Sequence, residues 1–212
     1  MREAEYLAIP PEGELRIGVI ADTHVPDRIN GLHPGVIPTF LKEDVHYIFH
    51  AGDICDSQIE SELSSVAPVR AVLGNRDWLF GRNLPRVYRF EVEGMQGALT
   101  HGQGSFLDYW WDKVKYLLKG YQFHRYQKVM RRMEPQAKLI VFGHTHRAEN
   151  VKINNCWFFN PGCASSARFR LGPSIGVMTF RKGGEFVGKI ITLEGAILEG
   201  RNWRVQNWQI GV

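Results

Sequence analysis

Asp22 and His24 stand two residues apart at the end of an apolar run, Leu15 to Ala21, and the same abrupt change from apolar to polar recurs along the chain. Gly52-Asp53 follows Tyr47 to Ala51, and Gly74-Asn75-Arg76-Asp77 follows Val69 to Leu73. His101-Gly102 follows Gly97 to Thr100, and Gly143-His144-Thr145-His146 follows Leu139 to Phe142. Carboxylates, imidazoles and an amide oxygen are side chains that hold divalent cations. If the extended geometry of a strand persists past Ala21, Asp22 and His24 point the same way and offer an oxygen and a nitrogen to one centre. His144 and His146 offer two imidazoles in the same manner. Gly52 lets the backbone approach closely, so that Asp53 can present two oxygens to two cations, and Asn75 adds an oxygen without adding charge. Each element alone also has an ordinary reading: a turn aspartate capping the next helix, an N-cap at Asp53, a turn asparagine, a core or surface histidine. Five such elements, each at a strand end, point instead to a metal centre.

These residues can meet only if their strands lie side by side, with the polar loops at the carboxyl ends. Helical periods at about 34 to 43 and 56 to 66 predict β-α-β crossovers between the first three runs. From Val151 onward the pattern changes to short strands: Cys156 to Asn160, Ile175 to Arg181, Phe186 to Leu193 and Ala196 to Val205. Gly183-Gly184 and Glu194-Gly195 read as hairpin turns between the last three. The expected class is α/β, with two sheets packed face to face and helices outside. Residues 1 to 13, with Pro10, Pro11 and Gly13, read as a loose leader. Residues 106 to 133 form a basic, aromatic helical stretch, broken near Gly120. It is either a substrate-facing cap, with Trp110 or Trp111 stacking on a base, or an outer helix pair packed on the sheet. With no repeat or linker in view, one domain over 1–212 is expected.

At 212 residues, 44% hydrophobic and 23% charged, the chain has the composition of a soluble globular protein. No apolar run approaches the roughly 20 residues of a membrane span, and no apolar stretch follows Met1 as in a signal peptide; a cytoplasmic location is expected. Cys55, Cys156 and Cys163 form no C-x-x-C pair, which argues against a disulfide framework and a zinc ribbon. The net charge of +4 suits an anionic ligand and is too small to argue for nucleic acid. Acyl transfer finds no G-x-S-x-G elbow, and neither a P-loop nor a G-x-G-x-x-G follows a strand.

In order and type, the five elements resemble the motifs of the calcineurin-like metallophosphoesterase superfamily: D-x-H, G-D-x-x-D, G-N-H-[DE], H and G-H-x-H. The resemblance covers about residues 15 to 165. The short chain and Asn160-Pro161-Gly162-Cys163, similar to an N-P-G-S loop, look most like the small bacterial and archaeal phosphodiesterase branch. It implies a four-layer α-β-β-α sandwich of two mixed sheets. It also implies one ion held by Asp22, His24, Asp53 and His146, and a second by Asp53, Asn75, His101 and His144, with Asp53 bridging. Mixed imidazole and carboxylate ligands suit transition metals, manganese foremost, with iron, zinc or nickel as alternatives. Two such ions about 3.5–4 Å apart can bind a phosphate ester and generate hydroxide for in-line attack.

Arg76 and Asp77 occupy the positions where catalytic residues are expected. Arg76 departs from the usual histidine, and arginine can grip a phosphate oxygen but cannot donate a proton to a leaving group. Asn75, Arg76, Asn160, Gly162 and Arg168 are the expected substrate contacts, with Arg170 nearby. The expected activity is hydrolysis of a small phosphate ester, a diester before a monoester. A non-catalytic metal-binding interaction scaffold of the same fold and a nuclease are the alternatives; no membrane partner is expected, and self-association is left open.

Overall fold

The computed structural model describes residues 4–11, 13–104, 120–165 and 172–206. One sheet comprises β2 (Glu14–Ile20), β3 (Tyr47–His50), β4 (Val69–Ala71), β10 (Ser174–Arg181) and β11 (Glu185–Thr192), in the order β11-β10-β2-β3-β4. Its strands β2, β3 and β4 run parallel, joined through α1 (Val36–Lys42) and α2 (Ser57–Ser64) as the helical periods predict. The second sheet comprises β1 (Glu5–Tyr6), β5 (Val87–Val92), β6 (Met95–Thr100), β7 (Leu139–Val141), β8 (Ala148–Ile153) and β9 (Cys156–Pro161). Its order is β1-β5-β6-β7-β9-β8, with β6, β7 and β9 parallel and β5 and β8 antiparallel to their neighbours.

Alternation along the strands decides what each sheet face meets. Val19 and Phe49 point inward, where they join Phe90, Leu99, Val141, Phe159 and Met178 in the core between the sheets. Their neighbours Ile20 and Ile48 turn the other way, onto Val36 and Phe40 of α1 and Ile59 and Leu63 of α2. On the far side Ala98, Ile140 and Phe158 meet Tyr126 and Met130 of α3 (Phe123–Met133). The chain is therefore an α-β-β-α sandwich of two mixed sheets. Close contact between α1 and β2 depends on Gly18, where a Cβ would lie 2.7 Å from the Phe40 ring.

Several expectations are corrected. The leader is not loose throughout. Glu5 and Tyr6 pair with Phe90 and Glu91, Leu7 is buried in the inter-sheet core, and Glu5 binds both Arg70 and Tyr88. A two-residue strand held by one buried leucine carries too little period to be read among prolines. Ala196 to Val205 is not one strand but the hairpin of β12 (Ala196–Glu199) and β13 (Asn202–Val205), turned at Gly200-Arg201. Glu194-Gly195 consequently separates β11 from β12 without pairing them. Strand β5 was not assigned from sequence, although Phe90 and Val92 alternate inward within it. The aromatic basic stretch is described from residue 120 on; Trp110 and Trp111 lie outside the described residues. No helix among those residues is long and apolar enough to cross a membrane.

Candidate metal centre

The loops leaving β2, β3, β4, β6 and β7 converge at the carboxyl ends of both sheets, and the structure brings together all seven residues expected to hold metal. They do not meet through persisting strand geometry. Asp22, His24, Asp53, His144 and His146 all have left-handed backbones, with φ between 50° and 67°. Such conformations cost roughly 1–3 kcal/mol each for residues with a Cβ and persist where the surroundings over-determine them. Here the surroundings are hydrogen bonds: Asp22 N–H donates to Gly52 O (3.0 Å) and His24 N–H to Asp53 O (2.9 Å). Between them the buried Thr23 Oγ1 lies 3.1 Å from His50 Nε2 and 3.4 Å from the carbonyls of Asp53 and Ile54. The D-x-H loop is thereby laced to the G-D loop.

On one flank His24 Nε2 lies 3.4 Å from His146 Nε2, which is 3.4 Å from Asp22 Oδ1. On the other, Asn75 Oδ1 lies 3.2 Å from both His101 Nε2 and His144 Nδ1. Asp53 Oδ2 stands between the flanks, 3.7 Å from His24 Nε2 and 3.6 Å from His101 Nε2. The other Asp53 oxygen, Oδ1, accepts the Arg76 N–H at 2.7 Å. The expectation of two oxygens facing two cations is thus corrected: one oxygen faces both flanks.

The donors fit divalent cations. Asp22 Oδ1 is buried with no hydrogen-bond donor, while Oδ2 accepts the His144 N–H at 3.0 Å. Ligand atoms of Asp22, His24 and His146, and of Asp22, Asp53 and His101, each gather within 4.8 Å of one another. His101 Nδ1 lies 2.7 Å from Ala51 O, an arrangement that fixes the ring and leaves Nε2 facing the cluster. Gly52 and Gly74 make room: a Cβ would lie 2.6 Å from His101 Nδ1 at the former and 2.2 Å from Asp53 Oδ1 at the latter.

Without a cation, crowding of buried charge shows in the acidities. Burial, reinforced by Asp53 and opposed by His101, pushes the Asp22 carboxyl up to about 8. Burial likewise raises Asp53, again against His101. His24 is held down at about 2, by burial first and by the Arg28 charge second. For His101 burial works downward, but the Asp53 and Asp22 carboxylates prevail and raise it. The His101 ring thus lies where positive charge is favoured, beside Asp53 and Asp22.

Other expected site residues are placed differently. Asp77, expected to be catalytic, is fully buried and accepts backbone N–H groups from Asp53 (2.9 Å), Gly74 (2.7 Å) and Cys55 (2.7 Å). It clamps the G-D loop to the G-N turn and does not face the cluster's ligand atoms. Asn160 is buried too; its amide donates to Gly143 O and Thr145 Oγ1, and its oxygen accepts the Gly162 N–H. It braces the G-H-x-H loop and has no face left for a substrate. Gly162 is required by its φ of +92° and by Ser174, whose Oγ would lie 2.1 Å from a Cβ. Cys163 is buried with Sγ 3.5 Å from Asp22 O. Arg168 and Arg170 lie outside the described residues.

Arg76 borders the cluster, with its side chain about one-third exposed and Nε 3.5 Å from Asp27 Oδ2. Sequence reasoning missed Asp27, Thr23 and His50. The spacing of Asp27 three residues after His24 was the available signal.

Two sheets back to back, with carboxylates, imidazoles and an amide gathered at their carboxyl ends, define a metallohydrolase-type centre on a four-layer sandwich. The chain belongs to the calcineurin-like phosphoesterase superfamily, whose domain model matches residues 15–183. A protein of Methanothermobacter thermautotrophicus named a probable metallophosphoesterase is 34% identical over 180 residues, covering 85% of this chain and 93% of the relative. Among solved structures, Vacuolar Protein Sorting 29 from Cryptosporidium parvum superposes with a TM-score of 0.61 at 17% identity, over 84% of this chain and 97% of that one. An archaeal phosphodiesterase superposes with a TM-score of 0.54 at 18% identity, over 84% of this chain and all of its own. At such identities the superpositions speak to fold alone.

Proposed function

We propose that this chain is a phosphodiesterase working with two divalent transition-metal ions, manganese foremost. Asp22, His24, Asp53 and His146 would hold one ion, and Asp53, Asn75, His101 and His144 the other. The observation that carries this reading is Asp53 Oδ2, nearly equidistant from His24 and His101, with a separate set of donors on either side. When bound, such ions supply Lewis acidity toward a phosphoryl oxygen and a nucleophile drawn from water.

The chain's own residues then set the substrate preference. Arg76 is rooted at the bridge through its backbone N–H, and its guanidinium can grip a phosphoryl oxygen and offset charge building at phosphorus. It has no proton to give. Esters whose leaving groups depart without protonation are therefore favoured, which argues for activated diesters over alkyl monoesters. The experiment is a panel of bis-aryl diesters and alkyl monoesters with manganese, nickel, zinc and magnesium at one pH. The diester should show the higher kcat/KM; an alkyl monoester ahead throughout the panel would overturn the diesterase reading.

A second reading, a metal-carrying interaction scaffold, rests on the turn after Asp77. There Trp78, Leu79 and Phe80 are 70%, 61% and 43% exposed in succession, an apolar surface of the kind that meets partners. Metal uptake without turnover of any ester in the panel would favour it.

A further inference from the structure

Asp27 sits where two parts of the site that are distant in sequence meet. The turn after His24 is closed by Arg28 N–H donating to His24 O at 2.8 Å, which brings Asp27 back toward Nδ1 of the His24 ring. Asp27 Oδ2 then lies 3.8 Å from His24 Nδ1, 3.5 Å from Arg76 Nε and 3.9 Å from Arg28 Nε. Asp27 Oδ2 and His24 Nδ1 are both buried without a hydrogen bond, and each is the other's neighbour. His24 Nε2 faces the cluster. An imidazole that gives Nε2 to a cation carries its proton on Nδ1, and that proton needs an acceptor.

We infer that Asp27 is a positioning residue with two duties, an inference that rests on the two-metal reading above. It accepts the Nδ1 proton of His24 once Nε2 is engaged, fixing tautomer and ring orientation. With the same carboxylate it anchors the Arg76 guanidinium beside the bridge. Arg28, on the same turn and 30% exposed at its side chain, adds positive charge but reaches neither His24's cluster face nor Asp53 in any contact described. One carboxylate thereby links occupation of the Asp22-side flank to the placement of the group that grips phosphate.

The two duties separate by substitution. Asp27→Asn keeps an oxygen acceptor for His24 and loses the charge that holds Arg76; Asp27→Ala loses both. Manganese and zinc affinity, and kcat/KM for a bis-aryl diester at saturating metal, are to be measured for wild type, both variants, Arg76→Ala and Asp27→Ala/Arg76→Ala. Asp27→Ala should weaken one of two ions by about 10–100-fold, the usual effect of losing an outer partner of a ligating histidine, while Asp27→Asn stays near wild type. In the zinc-loaded protein the His24 Nδ1 proton should be visible by nitrogen-15 NMR in wild type and Asp27→Asn and exchange away in Asp27→Ala. At saturating metal both Asp27 variants should lose turnover, but Asp27→Ala should add nothing in the Arg76→Ala background. Equal metal affinity in Asp27→Ala and wild type overturns the first duty. Additive losses with Arg76→Ala overturn the second. A wild-type protein that takes up no metal would sink the two-metal reading itself and this inference with it.

Discussion

The two flanks of Asp53 differ in charge and in how they are held. The flank of Asp22, His24 and His146 has a carboxylate of its own, with an oxygen that meets no donor, and a histidine kept neutral. The flank of Asn75, His101 and His144 contributes no formal charge, and in the metal-free state its His101 is the group driven toward protonation. Each flank draws from both sheets, since Asp22, His24 and Asn75 follow strands of one sheet and His101, His144 and His146 follow strands of the other. On the two-metal reading, affinity should therefore be unequal and the mechanical role shared: the Asp22 side should bind more tightly, and a cation on either side would tie the sheet ends together.

The largest effect is expected where the flanks meet. Asp53→Asn should lower metal content on both sides and reduce kcat/KM by more than the ~10–100-fold typical of outer partners. Two full-occupancy metals in that variant, by elemental analysis, would dissolve the bridge. Next, His146→Ala and His101→Ala should each cost one ion. Titration with metal should show the tighter step lost in the former and the weaker step lost in the latter; loss of the same step in both would make the flanks one site.

A subtler change comes from Arg76. Arg76→Ala should slow good and poor leaving groups alike, because charge builds at phosphorus with either. Arg76→His should restore poor leaving groups selectively, since a placed imidazole acting as general acid is worth ~100–10,000-fold where protonation is needed. A plot of log kcat/KM against leaving-group pKa should then be shallower for Arg76→His than for wild type. Parallel lines at equal metal occupancy would mean that position 76 does not face the leaving group.

The smallest expected effect is on stability and its pH dependence. Asp22 holds its proton up to about 8 when folded against 3.8 ordinarily, so its contribution is complete at low pH and lost as pH rises toward 8. His24 and His50 act oppositely: burial holds them at about 2 and about 3 against 6.5, so the folded chain loses stability as pH falls below 6.5. Metal-free protein in chelator should therefore melt highest near pH 6.5 and lower on both sides. Because cations compete with these protons, the gain in Tm on adding manganese should grow between about pH 6 and pH 8. A gain that shrinks over that range would show that Asp22 does not meet the cation.

The seven cluster residues were legible in the sequence because each lies just past an apolar strand, so that apolar pattern and polar chemistry mark one spot twice. The four layers were legible for the same reason, through alternation and crossover length. What failed was direction. Asp77 and Asn160 are polar residues beside the site, and no pattern tells that their oxygens and amide turn to backbone groups. Asp27 escaped because its relation to His24 and Arg76 is made by a turn and a distant loop. The two-residue strand at Glu5–Tyr6 escaped because its polar anchors, Arg70 and Tyr88, lie more than sixty residues away.

The left-handed backbones at five of the seven cluster positions have a consequence for how this protein can change. Glycine adopts that conformation without penalty, so Asp22→Gly or His144→Gly relieves strain at the same stroke as it removes a donor. A population of variants sorted only by resistance to heat in chelator would enrich glycine at these sites and discard the ligands first. Retention of the side chains under such sorting is favoured when metal is present, because a bound cation converts strained residues into stabilising ones.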